Sequence, residues 1–357
     1  MIYVESPWSD PYINLALEEY LLTRFDAEIF MLWRNDKSVI VGKNQNTLSE
    51  INSDYVNENS IAVVRRLTGG GAVFHDMGNL NFSFMVKNEK GLYSDFAKFT
   101  APIISALRSY GLNAEYGGRN DITIDGKKIS GNAQAVYGNR LLHHGTLLFH
   151  ADFSHLVAAL NVNEQKIQSK GIKSNRARVT NICEHKEIAI EEFMERVAAI
   201  VGTPVGHTDD GRAAGGHAFS SPTVGNHASG VYSDGTNTSD GRYILTEEDI
   251  REVTQLAGEK YRTWEWNYGY SPKYSFHNEK RFDGGCLEAY VDVKDGIIQN
   301  VKFYGDFFAR SDVGVVESAL VGKKHKREEA LKVLERFNLN EYFLNITAAE
   351  VAETVVP

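Results

Sequence analysis

Cysteine is scarce in this chain of 357 residues, where only Cys183 and Cys286 occur. Two cysteines make no disulfide framework and fit a reducing compartment, so the expected location is cytoplasmic. No run approaches the roughly 20 apolar residues that would span a bilayer. The opening segment, MIYVESPWSD, has no basic region followed by an apolar one, so no signal peptide is expected. Excess positive charge is missing too, and a net charge of −9 argues against nonspecific nucleic-acid binding. No Gly-Lys-Ser/Thr follows the triple glycine Gly69–Gly71, which excludes a P-loop, and the G-x-G-x-x-G spacing of a dinucleotide site is absent. Zinc-ligand spacing is also missing, so no side chain is assigned as a metal ligand of a protein-built site. What is present is a 42% hydrophobic fraction, enough for real cores. The length suits two domains, or one large and one small.

Against these absences one stretch stands out, RRLTGGGAVFHDMGNLNFSF, from Arg65 to Phe84. The apolar run Ile61–Val64 reads as a buried strand closed by two arginines. Phe82, Phe84 and Val86 alternate as a following strand. Between them the glycines let backbone approach a ligand closely and turn N–H groups toward it. Arginine suits bidentate phosphate contacts. Strand, glycine loop with flanking cations, strand is thus a place to hold an anion, although many glycine turns bind nothing.

A second constellation runs Gly118-Arg119-Asn120-Asp121, Ile122-Thr123-Ile124, Asp125-Gly126, Lys127-Lys128-Ile129-Ser130-Gly131. Asp-Gly between alternating segments predicts a two-residue hairpin loop. Ile124 would then face Lys127, Thr123 face Lys128, and Ile122 face Ile129. Alternation puts Ile122, Ile124 and Ile129 on one face, with Asp121, Thr123, Lys128 and Ser130 on the other. That spacing selects Lys128 over Lys127 as the working lysine; a solvated polar face is the plainer alternative. A third segment, Leu142-His143-His144-Gly145-Thr146-Leu147-Leu148-Phe149, reads as a strand. Adjacent histidines on a strand point to opposite faces and make a poor metal site.

In order and spacing, RRLTGGGAVFHDMGN, GRNDITIDGKKISG, HHGTLLF and SKGIKSNRARVTNI resemble the motif series of the lipoate–protein ligase A family. Pro11-Tyr12-Ile13-Asn14-Leu15-Ala16-Leu17-Glu18-Glu19 resembles that family's first helix. The likeness covers most of residues 1–200 and 244–357. The GRND and KKISG segments also resemble biotin–protein ligases, a related fold.

The resemblance implies two steps: lipoate and ATP give lipoyl-AMP and pyrophosphate, and a lysine of an acceptor protein then takes the lipoyl group. It implies lipoyl domains of 2-oxoacid dehydrogenase E2 subunits, or a glycine-cleavage H-type protein, as acceptors. Lys128 would be the catalytic residue, between the lipoyl carbonyl and the adenylate phosphate. Arg66, Gly71, Ala72, Val73, Phe74, His75, Asn79, Asp121 and Lys128 would contact ATP or adenylate. Lys128, His144, Gly145 and Thr146 would contact lipoate. Arg66, Lys128 and Mg²⁺ can offset the repulsion between a carboxylate and a triphosphate. No covalent nucleophile is needed. The alternatives are an ATP-independent lipoyl or octanoyl transferase using a cysteine thioester, and a non-catalytic lipoyl-binding module. Neither cysteine lies in the glycine loop, the hairpin or the HHGTLLF strand.

The expected fold is α+β, a catalytic domain of residues 1–201 around a mainly antiparallel sheet, with a small α/β accessory domain at 244–357. Asp10-Pro11 reads as a helix start. Strands are expected at 29–34 and 38–42, and helices near 96–110 and 190–201. Residues 202–243 are rich in glycine and small polar groups, and read as a flexible, protease-sensitive insertion or linker. Thr246-Glu247-Glu248-Asp249 opens a helix with a capping-box pattern. Strands at 274–282, 286–293 and 297–308 precede helices near 312–321, 326–337 and 347–354. The basic run Lys323, Lys324, Lys326 and Arg327 is a solvated face or a docking patch for an acidic lipoyl domain. A monomer is expected.

Overall fold

The computed structural model describes residues 1–45, 47–160, 179–202, 242–268, 276–294 and 297–356. The expected linker at 202–243 lies almost wholly outside the described residues, as do most of SKGIKSNRARVTNI and the turn Asp295-Gly296. The chain forms two compact units. The first comprises Met1–Ser38, His75–His155 and Val162–Tyr261, and the second Val39–Phe74, Leu156–Asn161 and Arg262–Pro357.

The strands in chain order are β1 (Ile2–Glu5), β2 (Ile29–Trp33), β3 (Ser38–Val41), β4 (Ala62–Arg65), β5 (Val73–His75), β6 (Asn79–Lys87), β7 (Ala114–Tyr116), β8 (Asp121–Ile124), β9 (Lys127–Tyr137), β10 (Arg140–Leu148), β11 (Phe276–Phe282), β12 (Gly285–Lys294) and β13 (Ile297–Gly305). The first unit is built on a seven-stranded sheet of order β1-β2-β6-β10-β9-β8-β7. Among the described strands of this sheet, β1 and β2 are the one pair that runs in parallel. The mainly antiparallel sheet expected from sequence is therefore present.

Alternation decides the two faces of this sheet. Phe30, Leu32, Leu80, Phe82, Phe84, Leu141 and Leu147 face one way. They pack with Phe99, Ile103 and Leu107 of helix Phe96–Ser109 and with Phe193 and Val197 of helix Ile190–Gly202. Each such fully buried side chain contributes roughly 1.5–3 kcal/mol. Helix Pro11–Arg24 meets the other face. Asp10 caps it, its Oδ1 accepting from the Tyr12 N–H at 2.9 Å, and Pro11 opens its first turn. This helix is buried on nearly every side from Asn14 to Leu22, Glu18 and Glu19 included. A single apolar stripe therefore understates it.

The helix Glu247–Leu256 also belongs to the first unit. Its capping box uses Thr246 and Asp249. Asp249 further accepts from the Tyr20 hydroxyl at 2.6 Å and the Tyr243 hydroxyl at 2.7 Å. Burial pushes the Asp249 carboxyl up, but the hydrogen bonds from Tyr20, Thr246 and Tyr243 win and hold it below the usual carboxylate range.

The second unit contains two three-stranded sheets, β4-β3-β5 and β11-β12-β13. Val39, Val41, Ile61, Val63 and Phe74 form a core around the first. Leu287, Ala289 and Val291 of the second pack on helices Gly314–Leu320, Arg327–Leu334 and Ala348–Val355. Strands 29–34 and 38–42 of the sequence reading are β2 and β3, and they enter different sheets. No helix of the described residues is long and apolar enough to cross a membrane.

Candidate active site

The expected site residues fall into two sets, one in each unit. In the second unit the glycine loop joins β4 to β5. Arg66 is buried beneath it, its Nη1 donating to the Ile40 carbonyl of β3 at 3.1 Å and the rest of its guanidinium turned to the loop. Its Nη2 donates to the Gly69 carbonyl at 2.7 Å and the Gly71 carbonyl at 2.9 Å, and its Nε donates to Thr68 Oγ1 at 2.9 Å. A cation that gathers the loop's carbonyls leaves its N–H groups to meet an anion. Arg65 is an anchor instead, donating to the carbonyls of Gly42, Gln45 and Trp266 and to Thr47 Oγ1. Gly70 has φ +92°, and a Cβ on Gly69 would lie 2.6 Å from the Phe307 carbonyl oxygen. Both positions therefore require glycine. Gly71, Ala72 and Val73 are half-buried, whereas Phe74 is buried in the unit's core.

In the first unit, Lys128 and Asp121 stand side by side, Nζ to Oδ1 2.7 Å, with side chains 37% and 32% exposed. The hairpin loop Asp125-Gly126 has positive φ at both residues, +49° and +76°, as a type I′ turn requires. Ile124 pairs Lys127 and Thr123 pairs Lys128, as the spacing predicts. Beyond that the register differs: Ile122 pairs Ser130, and Asp121 pairs Gly131, because Ile129 is the extra residue of a bulge. The bulge keeps Ile129 with Ile122 in the core and sets Asp121 opposite Gly131, and the Lys128 side chain reaches along the strand to it: a Cβ on Gly131 would lie 3.3 Å from Lys128 Nζ.

The helix Pro11–Arg24 covers a polar patch on the sheet. Trp33, Asn81 and Thr146 are cross-strand neighbours, as are Ser83 and His144. Glu18 is buried there, its Oε1 accepting from Ser83 Oγ at 2.6 Å and lying 2.9 Å from His144 Nδ1. Trp33 Nε1 donates to Ser83 Oγ at 3.0 Å. Glu18 Oε2 and both amide atoms of Asn81 are buried without a hydrogen-bond partner among the described residues. Of the three residues expected to contact lipoate beside Lys128, His144 and Thr146 lie on this face. Gly145 turns the other way, where a Cβ would meet Asn132 Oδ1 at 2.2 Å and Phe82 Cζ at 2.5 Å. His75 and Asn79 are buried near the start of β6. The Asn14 amide donates to Asn35 Oδ1, so Asn35 Nδ2 donates to His75 Nδ1 at 3.2 Å.

The sequence reading missed Glu18 as a site residue. Its only local signal is a carboxylate inside the otherwise apolar run Leu15-Ala16-Leu17 and Tyr20-Leu21-Leu22. Cys183 is exposed and Cys286 buried, and partial burial with the neighbouring Glu184 pushes the Cys183 thiol up. That is the wrong direction for an activated nucleophile.

A family model, the lipoyl protein ligase A/B catalytic domain, matches residues 10–201, and a second, the bacterial lipoate protein ligase C-terminus, matches residues 271–355. The chain is 43% identical over 351 residues to lipoate-protein ligase LplJ of Bacillus subtilis, covering 97% of each chain. The chain belongs to the lipoate–protein ligase A family. Two solved structures share its fold. The Plasmodium falciparum LipL1 complex with lipoate superimposes with a TM-score of 0.72 at 26% identity, covering 94% of both chains. A lipoate-protein ligase A bound with ATP gives a TM-score of 0.56 at 27% identity, over 75% of this chain and 97% of that one.

Proposed function

We propose that this chain is an ATP-dependent lipoate–protein ligase working through lipoyl-AMP. A carboxylate oxygen of lipoate attacks the α-phosphorus of ATP, the bond to the bridging oxygen breaks, and pyrophosphate leaves. A neutral acceptor lysine then attacks the carbonyl carbon; AMP departs with the bonding electrons, and the new amide nitrogen loses a proton. The observation that carries this reading is the Lys128–Asp121 pair, an ammonium held 2.7 Å from a carboxylate on the β8–β9 hairpin and still open to solvent. In each half-reaction negative charge moves between carboxyl and phosphate oxygens, and a fixed cation at Lys128 offsets it.

Arg66 supports the loop from beneath, so that the backbone of Gly71, Ala72, Val73 and Phe74 can cradle nucleotide phosphates. His75 and Asn79 are assigned to the nucleotide. His144 and Thr146 are assigned to lipoate, on the face where Glu18 Oε2 and the Asn81 amide are buried without partners among the described residues. Such atoms are available to hydrogen-bond an ordered water or a ligand group. Among the described residues no three metal-type side chains gather. Mg²⁺ does not need such a group, since one or two carboxylates plus substrate phosphates suffice. Asp121 fits that part, and the ion would offset triphosphate charge. Acceptors would be lipoyl domains of E2 subunits or an H-type protein, met in a reducing cytoplasm.

The test is ATP–pyrophosphate exchange with Mg²⁺ and lipoate, octanoate or biotin in turn, without and with an apo lipoyl domain. Lipoate-dependent exchange that falls about 100-fold in Lys128→Ala is expected. Near-normal exchange in that variant removes Lys128 from the chemistry. No exchange under any condition removes the adenylate route.

A further inference from the structure

On the opposite sheet face from Glu18, a second polar path runs through the hydrophobic core of the first unit. His143 is fully buried and stacks on Phe99 at 4.7 Å between ring centroids, with an interplanar angle of 18°. Phe82, Phe84 and Phe96 complete its surroundings. A polar ring placed among four phenylalanines must have both nitrogens satisfied. They are: Nδ1 lies 3.0 Å from Gln134 Nε2, and Nε2 lies 3.3 Å from Asn132 Oδ1.

The direction of every bond in this path is set by its ends. The Ser94 N–H donates to Gln134 Oε1 at 2.7 Å, so Gln134 must present its NH₂ to His143. His143 Nδ1 therefore accepts, and its Nε2–H donates to Asn132 Oδ1. Asn132 Nδ2 then donates to the Asn120 carbonyl at 3.0 Å and to Ser130 Oγ at 3.2 Å. Asn120 answers by donating its own Nδ2 to the Asn132 carbonyl at 2.7 Å. Only the neutral Nε2–H tautomer of His143 fits, and burial followed by the nearby His144 holds its pKa well below 6.5. The next residue after Asn120 is Asp121, paired with Gly131 and 2.7 Å from Lys128.

Gly145 supplies an independent sign that the path is built in. The space a Cβ would take there is filled by Asn132 Oδ1, the atom that accepts from His143. His143 and Gly145 share one face of β10, and both serve the placement of Asn132.

We infer that His143 is a positioning residue for adenylate formation: through Asn132 and Asn120 it fixes where Asp121, and with it the Lys128 ammonium, stands. It touches no reacting atom. The inference rests on the ligase reading, because its readout is that reaction. A displaced charge of about 1 Å costs on the order of 100-fold in rate, so the effect belongs in kcat.

The experiment is a double-mutant cycle of His143→Phe and Asn132→Ala, read as lipoate-dependent pyrophosphate exchange and normalised to folded protein by circular dichroism. Phenylalanine suits the aromatic surroundings but ends the path. Each single variant is expected to lower kcat roughly 10- to 100-fold, with KM for lipoate changed less than about threefold. The double variant is expected to be no more than about threefold worse than Asn132→Ala, since both break one chain. Effects that multiply, or a kcat within about twofold of the parent in His143→Phe, overturn the inference. Should His143→Phe not fold, Gln134→Leu breaks the same path upstream and is read by the same criteria. Parent protein without exchange overturns the ligase reading itself; active parent with unaffected variants overturns only the role of His143.

Discussion

His143 and His144 are neighbours in sequence with opposite surroundings. One is a neutral ring among phenylalanines, and the other meets Glu18 across the helix-covered face. The consequence for His143 is a pH-dependent stability. Its folded-state pKa lies well below the unfolded value of 6.5, so in the window between them the unfolded chain binds the extra proton. Stability from this residue is fully present above pH 6.5 and is lost as pH falls toward the folded-state value. Between pH 6.5 and 5.5 the parent protein should lose about 1 kcal/mol more unfolding free energy than His143→Phe. Urea titrations at both pH values measure this, and equal losses would contradict it. Strand alternation alone placed these two histidines on opposite faces. It could not say which face was core, because that depends on phenylalanines from β6 and from helix Phe96–Ser109.

At the scale of elements, the hairpin β8–β9 shows what a local pattern can and cannot reveal. Asp125-Gly126 located the turn, and the choice of Lys128 followed from counting outward from it. The bulge at Ile129 was not legible, because it arises from competing demands within a few residues: Ile122 and Ile129 both need the core, while the Asn120–Asn132 clamp fixes the strand ends. Gly126→Val tests the turn's importance for chemistry. At φ +76° a β-branched residue is strained by roughly 1–3 kcal/mol. The expected result is a lower thermal midpoint together with at least a fivefold loss of lipoate-dependent exchange, whereas Asp125→Asn, which tolerates a positive φ, should leave both near the parent values. The helix Pro11–Arg24 is the converse case. Its start was readable from Asp10-Pro11, yet its buried Glu18 and Glu19 were not, since their partners Ser83, His144 and Lys260 lie far along the chain.

For the whole molecule, the mainly antiparallel sheet and the three-stranded C-terminal sheet with its helices were readable from periodicity and turn signals. The interleaving of the two units was not, since residues Val39–Phe74 join Arg262–Pro357 through contacts that no local pattern announces. The chemistry class has a global test as well. A ligase that passes through an acyl-adenylate needs no thiol, so Cys183→Ala with Cys286→Ala should retain lipoyl transfer to an apo lipoyl domain within about twofold. A loss beyond about tenfold would move the protein to the thioester transferases. The packing of Gly69 and Gly70 against Phe307 and Phe308 carries one last consequence. The loop that would cradle nucleotide and the aromatic pair behind it lie far apart in the sequence. A gene cut between residues 202 and 242 would place them on separate polypeptides, neither holding a finished loop. Such halves would be obligate partners, and their association would come before any turnover.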